Sequence, residues 1–219
     1  MMTSRSLLGV ALMLVLAQGC AAVQWWEFSR PTLERPESTA IDEKGYVGLP
    51  GVKVAVTARN DRATFALAGP AIVVPLPIIP LPGSVIDPPK REPPFWIDVA
   101  IDPEGEGFTF APGEVRLHVD RRAGLAPTLT RGPAAVREYL GRRDGQVLCG
   151  FDPSGDGGAT APIPVRERTC FSLRFEIVPP TADTSFVVSL NGLAKDGRPV
   201  DPPQILFTKG RAWSFQCCL

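Results

Sequence analysis

Hydrophobic and polar residues alternate along much of the chain from Tyr46 onward. Val52, Val54 and Val56 alternate with Lys53, Ala55 and Thr57. The pattern resumes after Asn60-Asp61 at Phe65 and Leu67, which predicts a hairpin. Phe95, Ile97, Val99 and Ile101 alternate with Trp96, Asp98, Ala100 and Asp102. Val115, Leu117 and Val119 alternate with Arg116 and His118, and Phe171, Leu173, Phe175 and Ile177 with Ser172, Arg174 and Glu176. Phe186, Val188 and Leu190 follow, then Ile205 and Phe207, then Trp213 and Phe215. In a strand this period sends one set of side chains into a core and the other into water. Antiparallel sheets show that half-buried pattern, whereas parallel strands tend to be apolar throughout. So many segments of this kind predict an all-β fold: an antiparallel β-sandwich, immunoglobulin-like, with a β-barrel as the alternative. One short helix is expected, with Pro133 in its first turn, Val136, Tyr139 and Leu140 on one face, and Gly141 as its stop.

Composition sharpens this picture. The 219 residues include 24 prolines and 21 glycines. Proline lacks an N–H and glycine loses the most backbone entropy, so long helices are disfavoured and many turns are implied. The formal net charge is +0, without the clustered positive charge that binding to phosphate backbones requires, so no nucleic-acid partner is expected. Within Gly69–Gly83 a proline recurs every two or three residues, and nearly everything between is apolar. That spacing forbids a central strand and favours extended, polyproline-like backbone. Such a segment either packs along the core edge or offers a contact surface to a membrane or an envelope protein partner.

The first residues define a compartment. Arg5 precedes an uncharged apolar run from Leu7 to Ala17, too short to span a bilayer and placed where a signal peptide lies. It ends in Leu16-Ala17-Gln18-Gly19-Cys20, which resembles the lipobox of bacterial lipoproteins. The resemblance covers only these first residues. It implies cleavage before Cys20, a diacylglycerol on the Cys20 thiol, and acylation of the new amine. Two or three chains, at roughly 0.8 kcal/mol per buried CH₂, hold a protein firmly on a membrane. Ala21 rather than Asp follows the cysteine, which by resemblance favours the outer membrane, facing the periplasm, with surface exposure as the alternative. The expected organisation is a signal peptide over 1–19, a lipid-anchored tether over 20–44 and a β-sandwich domain over 45–219. Trp25 and Trp26 either rest at the headgroup level or pack on the domain.

Four cysteines follow the anchor. Cys149 and Cys170 flank a Gly/Pro-rich stretch and are the favoured disulfide; Cys217 and Cys218 are the other candidates, and four thiols allow three full pairings. The spacing lacks the paired cysteines of structural zinc sites, and there is one histidine. That residue, His118, lies on the polar side of its strand, and no GxSxG elbow accompanies it. Asp98 and Asp102 are separated by roughly 13 Å along a strand, too far for a glycosidase pair. Asp152, Ser154 and Asp156, with Gly157 sixth, match the start of a calcium-binding loop. Ile163 stands where the bidentate carboxylate belongs, so a turn is the plainer reading and calcium the alternative. No catalytic residue is expected. The chain reads as an envelope lipoprotein acting as a non-catalytic binding or structural module. The alternatives are a β-sandwich hydrolase or carbohydrate-active enzyme, and a calcium-dependent adhesion module.

Overall fold

The computed structural model of the chain describes residues 20–33, 41–68, 92–120, 123–138, 147–150 and 161–218. It is all-β, with antiparallel sheets that do not close into a barrel. One five-stranded sheet has the order β2 (Tyr46–Leu49), β3 (Val52–Ala58), β5 (Phe95–Pro103), β12 (Thr169–Phe175), β8 (Leu129–Ala134). A second has the order β4 (Arg62–Ala68), β1 (Cys20–Leu33), β16 (Ile205–Cys218), β13 (Phe186–Leu190), β7 (Val115–Val119). A four-stranded sheet, β11 (Ile163–Pro164), β6 (Phe108–Phe110), β14 (Leu193–Lys195), β15 (Arg198–Pro199), and a two-stranded ribbon, β10 (Val147–Cys149) with β9 (Val136–Glu138), complete the fold. By compactness the chain divides into two units. One holds Glu27–Asp61 and Lys90–Gly210; the other holds Met1–Trp26, Arg62–Pro89 and Arg211–Leu219.

The core of the larger unit follows the period-two pattern. Val52, Val54 and Val56 of β3, Ile97, Val99 and Ile101 of β5, and Phe171, Leu173 and Phe175 of β12 are buried together with Leu117, Phe186, Val188, Ile205 and Phe207 of the facing sheet. Phe95 meets Phe186 edge-on at 5.7 Å between ring centroids, and Phe186 stacks on Phe207 at 4.7 Å. Phe110 meets Phe171 at 5.0 Å. Side chains of this kind contribute about 1.5–3 kcal/mol each when fully buried. This layer of aromatics fuses the sheets into a sandwich.

Three local expectations give way. The helix expected from Pro133 does not form over the described residues, where Leu129–Ala134 and Val136–Glu138 are strands; Tyr139, Leu140 and Gly141 lie outside them. Cys170 pairs with Ala134 but Ser172 pairs with Arg131, so β8 carries one extra residue and bulges against β12. Gly132 makes the bulge feasible, with φ at 121° and room for no Cβ, which would lie 2.7 Å from the Cys170 carbonyl oxygen. The hairpin expected around Asn60-Asp61 is also absent, since β3 and β4 belong to different sheets. Asn60 is buried instead. Its Nδ2 donates to Ser29 Oγ (2.7 Å) and to the Pro180 carbonyl (2.9 Å), fixing the chain where it leaves β3. Finally, Cys20–Leu33, the first part of the 20–44 stretch expected to be a tether, is a strand, with Phe28 and Ser29 buried; residues 34–40 lie outside the described residues. Its prolines and polar residues hide the period, yet Thr32 Oγ1 donates to the Leu206 carbonyl at 2.9 Å.

Candidate functional site

The outer face of the β2-β3-β5-β12-β8 sheet carries three buried polar residues, Thr57, Asp98 and Ser172. Cross-strand register sets Thr57, Asp98, Ser172 and Arg131 in one row over four neighbouring strands. Asp98 is 1% exposed at the centre. Ser172 Oγ donates to its Oδ1 at 2.7 Å. Its Oδ2 accepts from Arg59 Nε (2.9 Å), Arg59 Nη2 (2.7 Å) and the Cys149 backbone N–H (3.2 Å). Four donors thus reach its two oxygens, three of them at Oδ2. A buried carboxylate held by these donors ties strands together.

The β9–β10 ribbon lies over one part of this face. The Val147 N–H donates to Thr57 Oγ1 at 3.1 Å, and Cys149 is bonded to Cys170, with Cα atoms 5.3 Å apart. Beneath it Tyr46, Ala55 and Ala100 form a small second core with Val147, Cys149 and Cys170, and Val136 packs against it. Arg168 Nε and Nη2 donate to Tyr46 Oη at 3.0 and 2.8 Å, closing the margin.

The next row is more open. Trp96 pairs across the strands with Arg174, and the Arg131 guanidinium sits over the Trp96 ring at 4.9 Å from its centroid. Arg174 Nε lies 2.8 Å from Glu176 Oε1. Arg131 Nε finds no hydrogen-bond partner among the described residues. A guanidinium placed over an indole suits recognition of a carboxylate or phosphate group.

The residues singled out from sequence fall as follows. Cys20 opens β1, and Cys217 and Cys218 close β16, with their side chains outside the described residues. Cys149 and Cys170 form the favoured disulfide. The calcium-loop candidates Asp152, Ser154 and Asp156 and the Gly69–Gly83 stretch lie outside the described residues. His118 is half-buried in β7 opposite Val187, with Arg116 and Gly124 beside it. Among the described residues no three His, Cys, Asp or Glu side chains gather as a metal site, and no helix is long and apolar enough to cross a membrane. Sequence reasoning missed the Arg59–Asp98–Ser172 tie and the Arg131–Trp96 stack. One signal was available: Asp98 interrupts an otherwise apolar centre of β5, where a charge must find partners to be buried. Compared with known protein families, characterised proteins and solved structures, the chain matches none.

Proposed function

We propose that this chain is a lipid-anchored protein of the bacterial envelope, held in the membrane through Cys20, whose sandwich is a non-catalytic binding or structural module. The observation that carries the reading is the buried Cys149–Cys170 disulfide, a bond that persists in oxidising compartments such as the one an export signal leads to. The Leu16–Cys20 lipobox supplies the export signal and the anchor. The Asp98 carboxylate, held by four donors, supports a non-catalytic role, because the most buried acid of the sheet is spent on structure. The cluster of Trp96, Arg131 and Arg174 is the part of this face best suited to an anionic group on a ligand or partner.

Metabolic labelling with an alkyne fatty acid tests the anchor. The native chain takes the label and fractionates with membranes. The Cys20→Ser chain takes none, stays unprocessed at residue 20 and runs larger on a gel. Equal labelling of the two chains removes the reading.

A further inference from the structure

We propose that the three-stranded ribbon at the Cys20 end of the second sheet is itself a membrane-contacting element, lying in the interface of the bilayer that holds the acyl chains. The inference rests on Cys20 being the anchor, and it replaces a free tether with a seated one.

Topology brings the relevant chain ends together. Thr32 bonds to Leu206, and a Cβ on Gly210 would meet Phe28 and Arg30, so rising numbers in β1 meet falling numbers in β16. The neighbours are therefore antiparallel, and Cys20, which opens β1, shares an end with Cys218, which closes β16. On the other side of β1, the Ser29 N–H donates to Asn60 Oδ1. β4 starts just beyond, at Arg62, and groups with Met1–Trp26 and Arg211–Leu219. It thus runs back along β1 and finishes, at Ala68, at the Cys20 end.

The sequences of these three segments agree. Residues 20–26, 62–68 and 211–218 contain no Asp or Glu, and they carry Trp25, Trp26, Phe65, Leu67, Trp213 and Phe215. Their charges are Arg62 and Arg211, both at the end away from Cys20. The apolar, proline-spaced Gly69–Gly83 sequence continues directly from Ala68. At about 3.3 Å per residue, the ribbon is roughly 20–25 Å long, which is short of a tilted spanning strand. Among the described residues β4 is the edge strand of the sheet, and the hydrocarbon interior does not tolerate an open strand edge. The headgroup zone satisfies both limits. Water and phosphates reach the open edge, indole rings favour that depth, and Arg62 and Arg211 meet anionic headgroups.

The test uses the chain processed to residue 20 and carrying Cys20→Ser, so that no acyl group contributes. It is mixed with vesicles of phosphatidylethanolamine and phosphatidylglycerol, sedimented, and followed by tryptophan emission. Binding with a blue shift is expected, with roughly tenfold or greater loss when Trp25→Ser, Phe65→Ser and Trp213→Ser are combined. Retention of the Cys149–Cys170 bond and an unchanged unfolding transition certify the variant. If it fails that check, Arg62→Glu with Arg211→Glu takes its place, and a severalfold loss on anionic but not on phosphatidylcholine vesicles is expected. No binding, or binding indifferent to these substitutions, overturns the proposal. So does a concentration-dependent dimer abolished by the same substitutions in a chain that ignores vesicles, because the apolar ribbon would then meet a second copy. Fatty-acid labelling of Cys20 without vesicle binding sinks the ribbon alone; vesicle binding without labelling sinks the anchor instead.

Discussion

The two faces of the β2-β3-β5-β12-β8 sheet are buried by different chemistry. The inner face is covered by volume: Val54, Ile97, Val99, Phe171 and Leu173 interlock with Phe186, Val188 and Phe207 from the opposite sheet. The outer face is covered by connection, through a ribbon of two three-residue strands, one disulfide, and hydrogen bonds to Asp98 and Thr57. A thin layer buries little apolar surface, so it needs directional bonds to stay down. The difference teaches that a face polar in sequence becomes interior when a neighbouring segment is tied over it.

Substitutions on the two faces should therefore fail differently. Phe171→Ala, on the inner face, opens a cavity among rings and is expected to cost about 3–5 kcal/mol by chemical denaturation. Replacing Cys149 and Cys170 together by Ala is expected to cost about 3 kcal/mol in the chain-entropy picture of a loop this long. Asp98→Ala strands the Cys149 N–H and the Ser172 hydroxyl, while half-exposed Arg59 turns to water; a loss of about 2 kcal/mol is expected. Thr57→Val removes only the acceptor for the Val147 N–H and is expected to cost about 1 kcal/mol. Hydrogen exchange sharpens the contrast. In the last two variants the Val147 and Cys149 amides should exchange faster while Leu173 stays protected; equal loosening of both would show that the faces are one unit.

The inner face was legible because its signal is periodic. Val52, Val54 and Val56, or Phe171, Leu173 and Phe175, declare a strand and its buried side together. The outer face was not, because Ala55, Thr57, Asp98 and Ser172 look like solvent-side residues until a ribbon covers them. That ribbon was itself hidden: Gly132 carries a bulge in β8, and Pro133, three residues before Val136, imitates a helix start. β1 escaped for a related reason, since Ser29, Arg30 and Pro31 break the alternation although hydrogen bonds pin the strand. Cys149 and Cys170 were paired correctly from the loop they close, whereas Asp98 could be placed on its strand but not given partners that arrive from distant sequence. The Arg131–Trp96 stack depends on strand order across β8, β12 and β5, which no local pattern carries.

The claim beneath the whole account is that one cysteine becomes a lipid anchor while two others become a disulfide outside the cytoplasm. Intact-mass and peptide analysis of the unreduced protein, extracted from its native membranes, tests this most directly. The account predicts a chain beginning at residue 20, heavier than its amino acids by acyl groups on that residue, with a peptide holding Cys149 bonded to one holding Cys170. A chain still carrying residues 1–19, unmodified at Cys20 and with Cys149 and Cys170 as free thiols, would contradict it.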